Sequence, residues 1–197
     1  MANSLSGIPI VVDGNRHRGG MFLIDRFKPD IIIMDDAFQH RAIERDVDIV
    51  LINSQDRRSE HKLLPYGFLR EPWAGLKRAH VLIFTKTNLQ KPAPFLMSMA
   101  QETKLPTIQS ILSVNNLISP EGDTGQTKEG QRAIALSAVG DPDGFTKTLK
   151  NAGINVVEHI TFIDHHEYTQ EDINKVAELV NNTVAEIIIT TEKDMIK

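Results

Sequence analysis

The sequence predicts an α/β fold, a mostly parallel sheet followed by a second, smaller α/β lobe, with an extended linker between them. Three observations carry this. Short runs rich in Ile and Val recur along the 197 residues, and most are too short for helices. Segments with helical spacing and recognisable start and stop signals lie between several of them. One stretch, 114–131, has neither pattern.

The apolar runs fall at 8–12, 31–34, 47–52, 80–85, 108–114, 133–138, 156–162 and 185–190. After the first come Asp13-Gly14-Asn15-Arg16 and Arg18-Gly19-Gly20, a turn rich in glycine and arginine that leads into a helix over 21–27. The second run, Ile31-Ile32-Ile33-Met34, has no polar interruption, the mark of a strand buried on both faces of a parallel sheet. A helix is expected over 92–103. Residues 114–131 carry Asn115-Asn116, Ser119-Pro120, Glu121-Gly122, Thr124-Gly125 and Glu129-Gly130, which reads as a hairpin tip or linker. The expected parts are therefore 1–114, a linker at 115–130, and 131–197. A helix over 142–152 has Pro142 at its start and Gly153 just past its end. Thr169-Gln170-Glu171-Asp172 is a capping box opening a helix over 169–180, with Ile173, Val176, Ala177 and Val180 at helical spacing.

Composition narrows the function. A net charge of −4 argues against a general nucleic-acid binder, and 6% aromatic residues against base-stacking platforms. The absence of cysteine excludes disulfides, thiolate zinc sites and cysteine nucleophiles. No apolar run approaches the roughly 18 residues of a membrane span. The first residues lack the pattern of a signal peptide, so the expectation is a cytoplasmic protein.

Three dense clusters carry candidate chemistry. The run at 31–34 stops at Asp35-Asp36 and continues Ala37-Phe38-Gln39-His40-Arg41. Ligand sites of parallel sheets lie just past the carboxyl ends of strands. Two adjacent carboxylates there call for a cation, and magnesium held on a nucleotide answers to this pattern of a strand ending in Asp. The alternative is that Asp36 caps a following helix with Asp35 solvated beside it. The second cluster, 63–73, has Arg70 and Glu71 on a loop set by Pro65, Gly67 and Pro72. Such an arginine suits bidentate recognition of phosphate, or else pairs with Glu71 to hold the loop. The third is Asp164-His165-His166, where an Asp can orient an imidazole for proton transfer, the group can bind metal, or the residues can form a plain turn. Thr190-Thr191-Glu192-Lys193-Asp194 closes the chain's last apolar run and is a weak signal by itself. No Gly-x-x-x-x-Gly-Lys-Ser/Thr phosphate loop is present.

Together, in this order, the clusters resemble the tetraacyldisaccharide 4'-kinase family, the lipid A 4'-kinases of Gram-negative bacteria. The matching stretches are Asp-Asp-Ala-Phe-Gln-His-Arg at 35–41, Arg-Asp-Val-Asp-Ile-Val at 45–50 and Leu-Leu-Pro through Leu-Arg-Glu-Pro at 63–72. Gly-Asp-Pro at 140–142, Asp-His-His at 164–166 and Thr-Thr-Glu-Lys-Asp at 190–194 complete them. Tyr66 and Phe68 depart from the family's loop. The resemblance implies a P-loop-kinase-like parallel sheet, here partial, with the phosphate loop and the catalytic aspartate before Met1 and a final strand after Lys197. The chain alone is then expected to have no appreciable kinase activity.

The resemblance further implies transfer of the ATP γ-phosphoryl group to the 4'-hydroxyl of an acylated disaccharide 1-phosphate, with ATP and Mg2+ as cofactors. Asp35 matches the magnesium-holding acid, with Asp36 beside it as a second metal and catalytic residue. His40 matches a position near the nucleotide, and Arg16, Arg70 and Glu71 positions near the nucleotide or the anionic sugar head. Asp164 and His165 match the motif that supports the catalytic aspartate. The implied partners are the lipid A disaccharide 1-phosphate precursor and the inner membrane, touched peripherally from the cytoplasm, with no nucleic acid. Two other readings compete. A metal-dependent phosphoesterase of the DHH family also places Asp-His-His after a strand, but its Asp-x-Asp and His-Ala-Asp motifs are missing. The other is a non-catalytic domain that binds an acylated sugar.

Overall fold

The computed structural model of the chain describes residues 5, 7–164 and 166–195. In chain order the elements are α1 (Arg16–Phe27), β1 (Ile49–Asn53), a 3-10 turn at Trp73–Arg78, β2 (Val81–Thr85), α2 (Pro94–Thr103) and β3 (Thr107–Gln109). There follow β4 (Leu117–Ile118), β5 (Thr124–Gly125), β6 (Arg132–Ser137), α3 (Pro142–Asn151), β7 (Asn155–Thr161), α4 (Gln170–Asn182), β8 (Ile187–Ile189) and α5 (Glu192–Met195). The strands make two parallel sheets, ordered β1-β2-β3 and β7-β6-β8, and between them in sequence β4 pairs with β5 antiparallel. The α/β class read from the alternation is the class observed.

In the first sheet the strand period of two separates a packed face from a bare one. Leu82 and Phe84 of the central strand β2 are fully buried, with Ile52 of β1 beside them and Leu96 and Ala100 of α2 above. Leu76 and Ala79, at the 3-10 turn, complete that core. On the opposite face the register sets Ile49 beside Val81, Leu51 beside Ile83, and Ile83 beside Ile108. Ile49, Leu51 and Ile108 are 52, 65 and 52% exposed, an apolar surface of the kind that marks a contact region.

The central strand of the second sheet is covered on both sides. Ala133, Ile134, Ala135 and Ser137 of β6 are all buried, which is why that run reads as nearly continuous apolar sequence. Leu149 of α3, Ile154 and Ile189 pack with Ala133 and Ala135. The buried Ser137 hydroxyl meets Nε2 of His159 at 2.9 Å, and Nδ1 of that ring meets the Thr146 hydroxyl at 2.8 Å. Burial holds the His159 pKa below its ordinary value, which keeps the ring neutral in this network. Asp141 caps α3 by accepting from the Gly144 N–H at 2.9 Å, and Thr169 and Asp172 form the reciprocal capping box of α4.

Four expectations need correction. Residues 31–34 are not a buried strand: Ile31 and Ile33 are 78 and 91% exposed, and the run has no ladder partner among the described residues. Apolar side chains alone do not make a strand, since the backbone N–H and C=O groups need a neighbour to pair with. Residues 8–12 are likewise outside any sheet, and in the run at 108–114 the strand ends at Gln109, with Ser110 still bonded through its backbone to Phe84 and Thr87. The stretch around Arg16 is a helix start and not a turn. Asn15 caps α1 by accepting from the Arg18 N–H at 3.1 Å, and a side chain at the buried Gly19 would press within 3.2 Å of Asp13 Cβ.

Candidate active site

Past residue 34 the chain turns sharply at Asp35 and Asp36. Asp36 holds a left-handed backbone, φ 48°, which Asp tolerates better than most residues. In that conformation both of its carboxylate oxygens accept from Nη1 of Arg70, each at 2.8 Å. The partners are 57 and 60% exposed, so the pair adds only about 0–1 kcal/mol and can be exchanged for a ligand. Asp35 is exposed and has no hydrogen bond or ion pair among the described residues. An open carboxylate beside a loosely held one fits magnesium, which takes one or two carboxylates and completes its shell with water and substrate phosphates.

Glu71 ties this turn to the folded core. Its carboxylate accepts from Gln39 Nε2 at 3.0 Å, from Arg41 Nη2 at 3.5 Å, and from Arg78 Nη2 at 2.7 and 2.9 Å. The Arg78 guanidinium also lies 4.5 Å over the centre of the Phe38 ring. The Arg78 hydrogen bond is the largest cause holding the Glu71 carboxyl below its usual range, against an opposing push from burial. A Cβ at Gly75 would overlap the Glu71 carboxylate, which would have to shift to make room for it. The loop that carries Arg70 and Glu71 closes on itself through Phe68 N–H to Glu60 O at 2.8 Å and Leu69 N–H to Lys62 O at 3.0 Å. Arg70 and Glu71 therefore do not pair with each other, as one reading of the sequence had it; each reaches into the segment 36–41.

Of the predicted site residues, Asp35, Asp36, Arg70 and Glu71 come together at this turn. His40 belongs to the same segment through its backbone: its N–H donates to Ala37 O at 2.9 Å and its carbonyl accepts from Arg45 Nη1 at 2.6 Å. Arg16 is half-buried at the first position of α1, with no ion pair among the described residues.

Asp164 sits in a second group. Its carboxylate accepts from Lys193 Nζ at 2.9 Å and lies 3.5 Å from where a Gly140 side chain would begin. One residue further, Asp141 forms an ion pair with Lys86, which follows β2 in a left-handed conformation, φ 58°. Burial works to raise the Asp141 pKa, but the Lys86 and Gly144 hydrogen bonds outweigh it and leave a net lowering. His165 lies outside the described residues. Among the described residues, His166 is held by Asp172 at 3.0 Å and stacked on Phe162 at 4.6 Å between ring centres.

Sequence reasoning passed over Arg78, Lys86 and the anchoring role of Gln39. Lys86 follows an apolar run directly, as Asp35 does, and that signal was available. Arg78 gave none, because Lys77-Arg78 is indistinguishable from an ordinary solvated pair.

Comparison with known proteins meets this geometry from outside. The family model described as tetraacyldisaccharide-1-P 4'-kinase matches residues 1–197. The tetraacyldisaccharide 4'-kinase of Halothermothrix orenii is 34% identical over 214 residues, covering 100% of this chain and 56% of that protein. That of Chlorobaculum tepidum is 37% identical over 188 residues, covering 94% of this chain and 53% of that protein. Among solved structures, the "apo" form of LpxK from Aquifex aeolicus in complex with ATP is 30% identical with a TM-score of 0.62, over 92% of this chain and 52% of that one. This chain thus spans about half the length of the curated relatives it matches. With its whole length matched by the family model, the chain belongs to the tetraacyldisaccharide-1-P 4'-kinase family.

Proposed function

We propose that this chain supplies the acid and arginine side of the active site in an ATP-dependent kinase acting in lipid A biosynthesis. The acceptor is the 4'-hydroxyl of an acylated glucosamine disaccharide 1-phosphate. The observation that carries the reading is the turn at Asp35–Asp36, where an open carboxylate, a carboxylate loosely held by Arg70, and the Glu71–Arg78 anchor converge. Membership of the kinase family and the likeness to an LpxK complexed with ATP support it. They do not favour a DHH-type phosphoesterase.

Phosphoryl transfer asks a protein mainly for positioning and charge neutralisation. Asp35 and Asp36 would hold Mg2+, which when bound neutralises charge on the transferring phosphate. Arg70 then exchanges Asp36 for a phosphate oxygen, a swap that costs little because the pair is exposed. Glu71 keeps the Arg70 loop in register with the acid turn, His40 lies toward the nucleotide, and Arg16 toward the anionic sugar head. Asp164 and His165 serve the proton transfer at the acceptor hydroxyl. We place the first part at 1–114, the linker at 115–130 and the second lobe at 131–197. The bare face of the first sheet is the seat for the half of the kinase that this chain does not match. Among the described residues no helix is long and apolar enough to cross a membrane. Contact with the inner membrane, in this reading, is peripheral, from the cytoplasmic side, and set by the acyl chains of the acceptor.

The test is a chimera that joins the unmatched half of the Chlorobaculum tepidum kinase to this chain. Incubated with γ-labelled ATP, magnesium and the acylated disaccharide 1-phosphate, it should give a 4'-phosphorylated product, while this chain alone gives none. A folded, ATP-binding chimera that leaves the acceptor unlabelled would overturn the reading.

A further inference from the structure

The two parallel sheets have separate apolar cores. One gathers Ile52, Leu82, Phe84 and Leu96 at the first sheet, the other Ala133, Ala135, Leu149 and Ile189 at the second, and no buried residue belongs to both. Bodies that share no apolar interface move relative to one another unless something polar joins them. Among the described residues, the side-chain bonds that cross from 5–112 to 131–195 all meet in one place, at Asp141 and Lys147.

The Asp141 carboxylate divides its work. Oδ1 accepts from the Gly144 N–H at 2.9 Å and caps α3. Oδ2 takes the bonds from the first sheet: Lys86 Nζ donates to it, and so does the Gln55 amide at 3.2 Å, turned as its neighbours require. The amide oxygen of Gln55 accepts from Lys147 Nζ, also at 3.2 Å. Both donors to Oδ2 stand at strand ends, Lys86 directly after β2 and Gln55 two residues after β1. The fully buried Ser54 fixes their spacing, since its N–H and hydroxyl both donate to Thr85 O, at 3.1 and 2.7 Å. On the other side, Gly140 precedes Asp141, and the Asp164 carboxylate lies 3.5 Å from where a Gly140 side chain would begin. What holds Asp141 therefore holds the segment against which Asp164 rests.

We propose that Lys86 and Asp141 are positioning residues. With Gln55 they fix the second sheet, and the Asp164 it carries, in one orientation toward the first sheet and its acid turn at 35–36. They act through Asp164 rather than on the reacting atoms. The consequence for catalysis rests on the kinase reading above; the joint between the two sheets does not.

The chain has no cysteine, so two introduced ones can carry spin labels without background. Gln101→Cys in α2 and Glu178→Cys in α4 are exposed sites, one beside each sheet, and pulsed electron resonance reads the distance between them. Asp141→Asn leaves an oxygen for the α3 cap, where Asn serves as well as Asp, but sets an amide donor against Lys86 and Gln55. Lys86→Met removes the charged donor. Each variant should broaden the distance distribution by about twofold or more, the freedom expected of bodies with no apolar interface. Arg132→Met breaks a pair with Glu186 inside the second sheet's own lobe and should leave the distribution as it was. In the chimera, Lys86→Met and Asp141→Asn should lower kcat about ten- to a hundredfold, the cost of misplaced groups, with the KM for ATP within about twofold of the parent's. A distribution unchanged in either variant would overturn the proposal. So would an unchanged kcat, or a KM for ATP that rises as kcat falls, which would place the pair at the nucleotide. The labels report without phosphoryl transfer, so an inactive chimera overturns the kinase reading alone, and the distances still decide the joint.

Discussion

Residues 31–34 and the strand β2 are runs of similar composition, each followed within two residues by a charged side chain on a left-handed backbone, Asp36 at φ 48° and Lys86 at φ 58°. β2 lies between β1 and β3, every residue of it is in register with β1, and Leu82 and Phe84 are fully buried. Residues 31–34 have no strand neighbour among the described residues, and Ile33 stands 91% exposed. The charges that follow differ in the same sense. The Lys86–Asp141 partners are 27 and 33% exposed, the Arg70–Asp36 partners 57 and 60%. An apolar run followed by a charge sets out a strand end, and its neighbours decide whether the strand forms and how tightly the charge is held.

The largest expected effect separates the two runs directly. Phe84→Ala removes a fully buried ring and should cost about 3–5 kcal/mol of unfolding free energy, whereas Ile33→Ala should stay within about 0.5 kcal/mol. Urea denaturation of the two variants checks it, and comparable losses would mean that 31–34 is packed in solution.

Arg78 joins the open turn to the packed core, because it follows Leu76 in the 3-10 turn and grips Glu71. Arg78→Ala should cost about 1–2 kcal/mol and increase hydrogen exchange at 38–41. A stability loss with unchanged exchange there would break the proposed tether.

A sheltered carboxylate can be set against the open ones by acid titration. Hydrogen bonds from His166 and from Thr169 lower the Asp172 pKa from 3.8 to about 2. Its folded value lies below its unfolded value, so its contribution is fully present above pH 3.8 and is lost as pH falls through about 2. Asp172→Asn should flatten acid unfolding in that window, as followed by circular dichroism; an unchanged acid limb would remove Asp172 from the account.

The smallest change is expected at the turn itself. Asp36→Gly relieves a left-handed Asp, a gain of up to about 1 kcal/mol, while losing an exposed ion pair of about the same size. The thermal midpoint should barely move, and a clear fall would show that the Arg70 pair stabilises more than its exposure suggests.

Most of the second sheet was legible because its signals are local. The Thr169-Asp172 capping box, Pro142 at the start of α3 and the apolar run of β6 each lie within a few residues of what they determine. The fate of 31–34 was not legible, since exposure depends on which strands lie alongside. Glu71–Arg78 was hidden for a related reason: two charges seven residues apart with a glycine between them resemble solvated sequence until the fold brings them together. Lys86–Asp141 spans 55 positions and joins the ends of strands in different sheets. At the site, the residue types at 35–41 and 70–71 were readable, but the exchangeable Asp36–Arg70 pair depends on a backbone angle that Asp does not announce.

The central claim is that the open carboxylate at the 35–36 turn holds the metal of a kinase, and one rate measures it. In the chimera, Asp35→Ala should lower kcat by about a hundredfold or more at saturating ATP and magnesium, with the thermal midpoint within a degree or two of the parent's, about the shift left by a surface substitution. A folded Asp35→Ala chimera that turns over at the parent's rate would contradict the account.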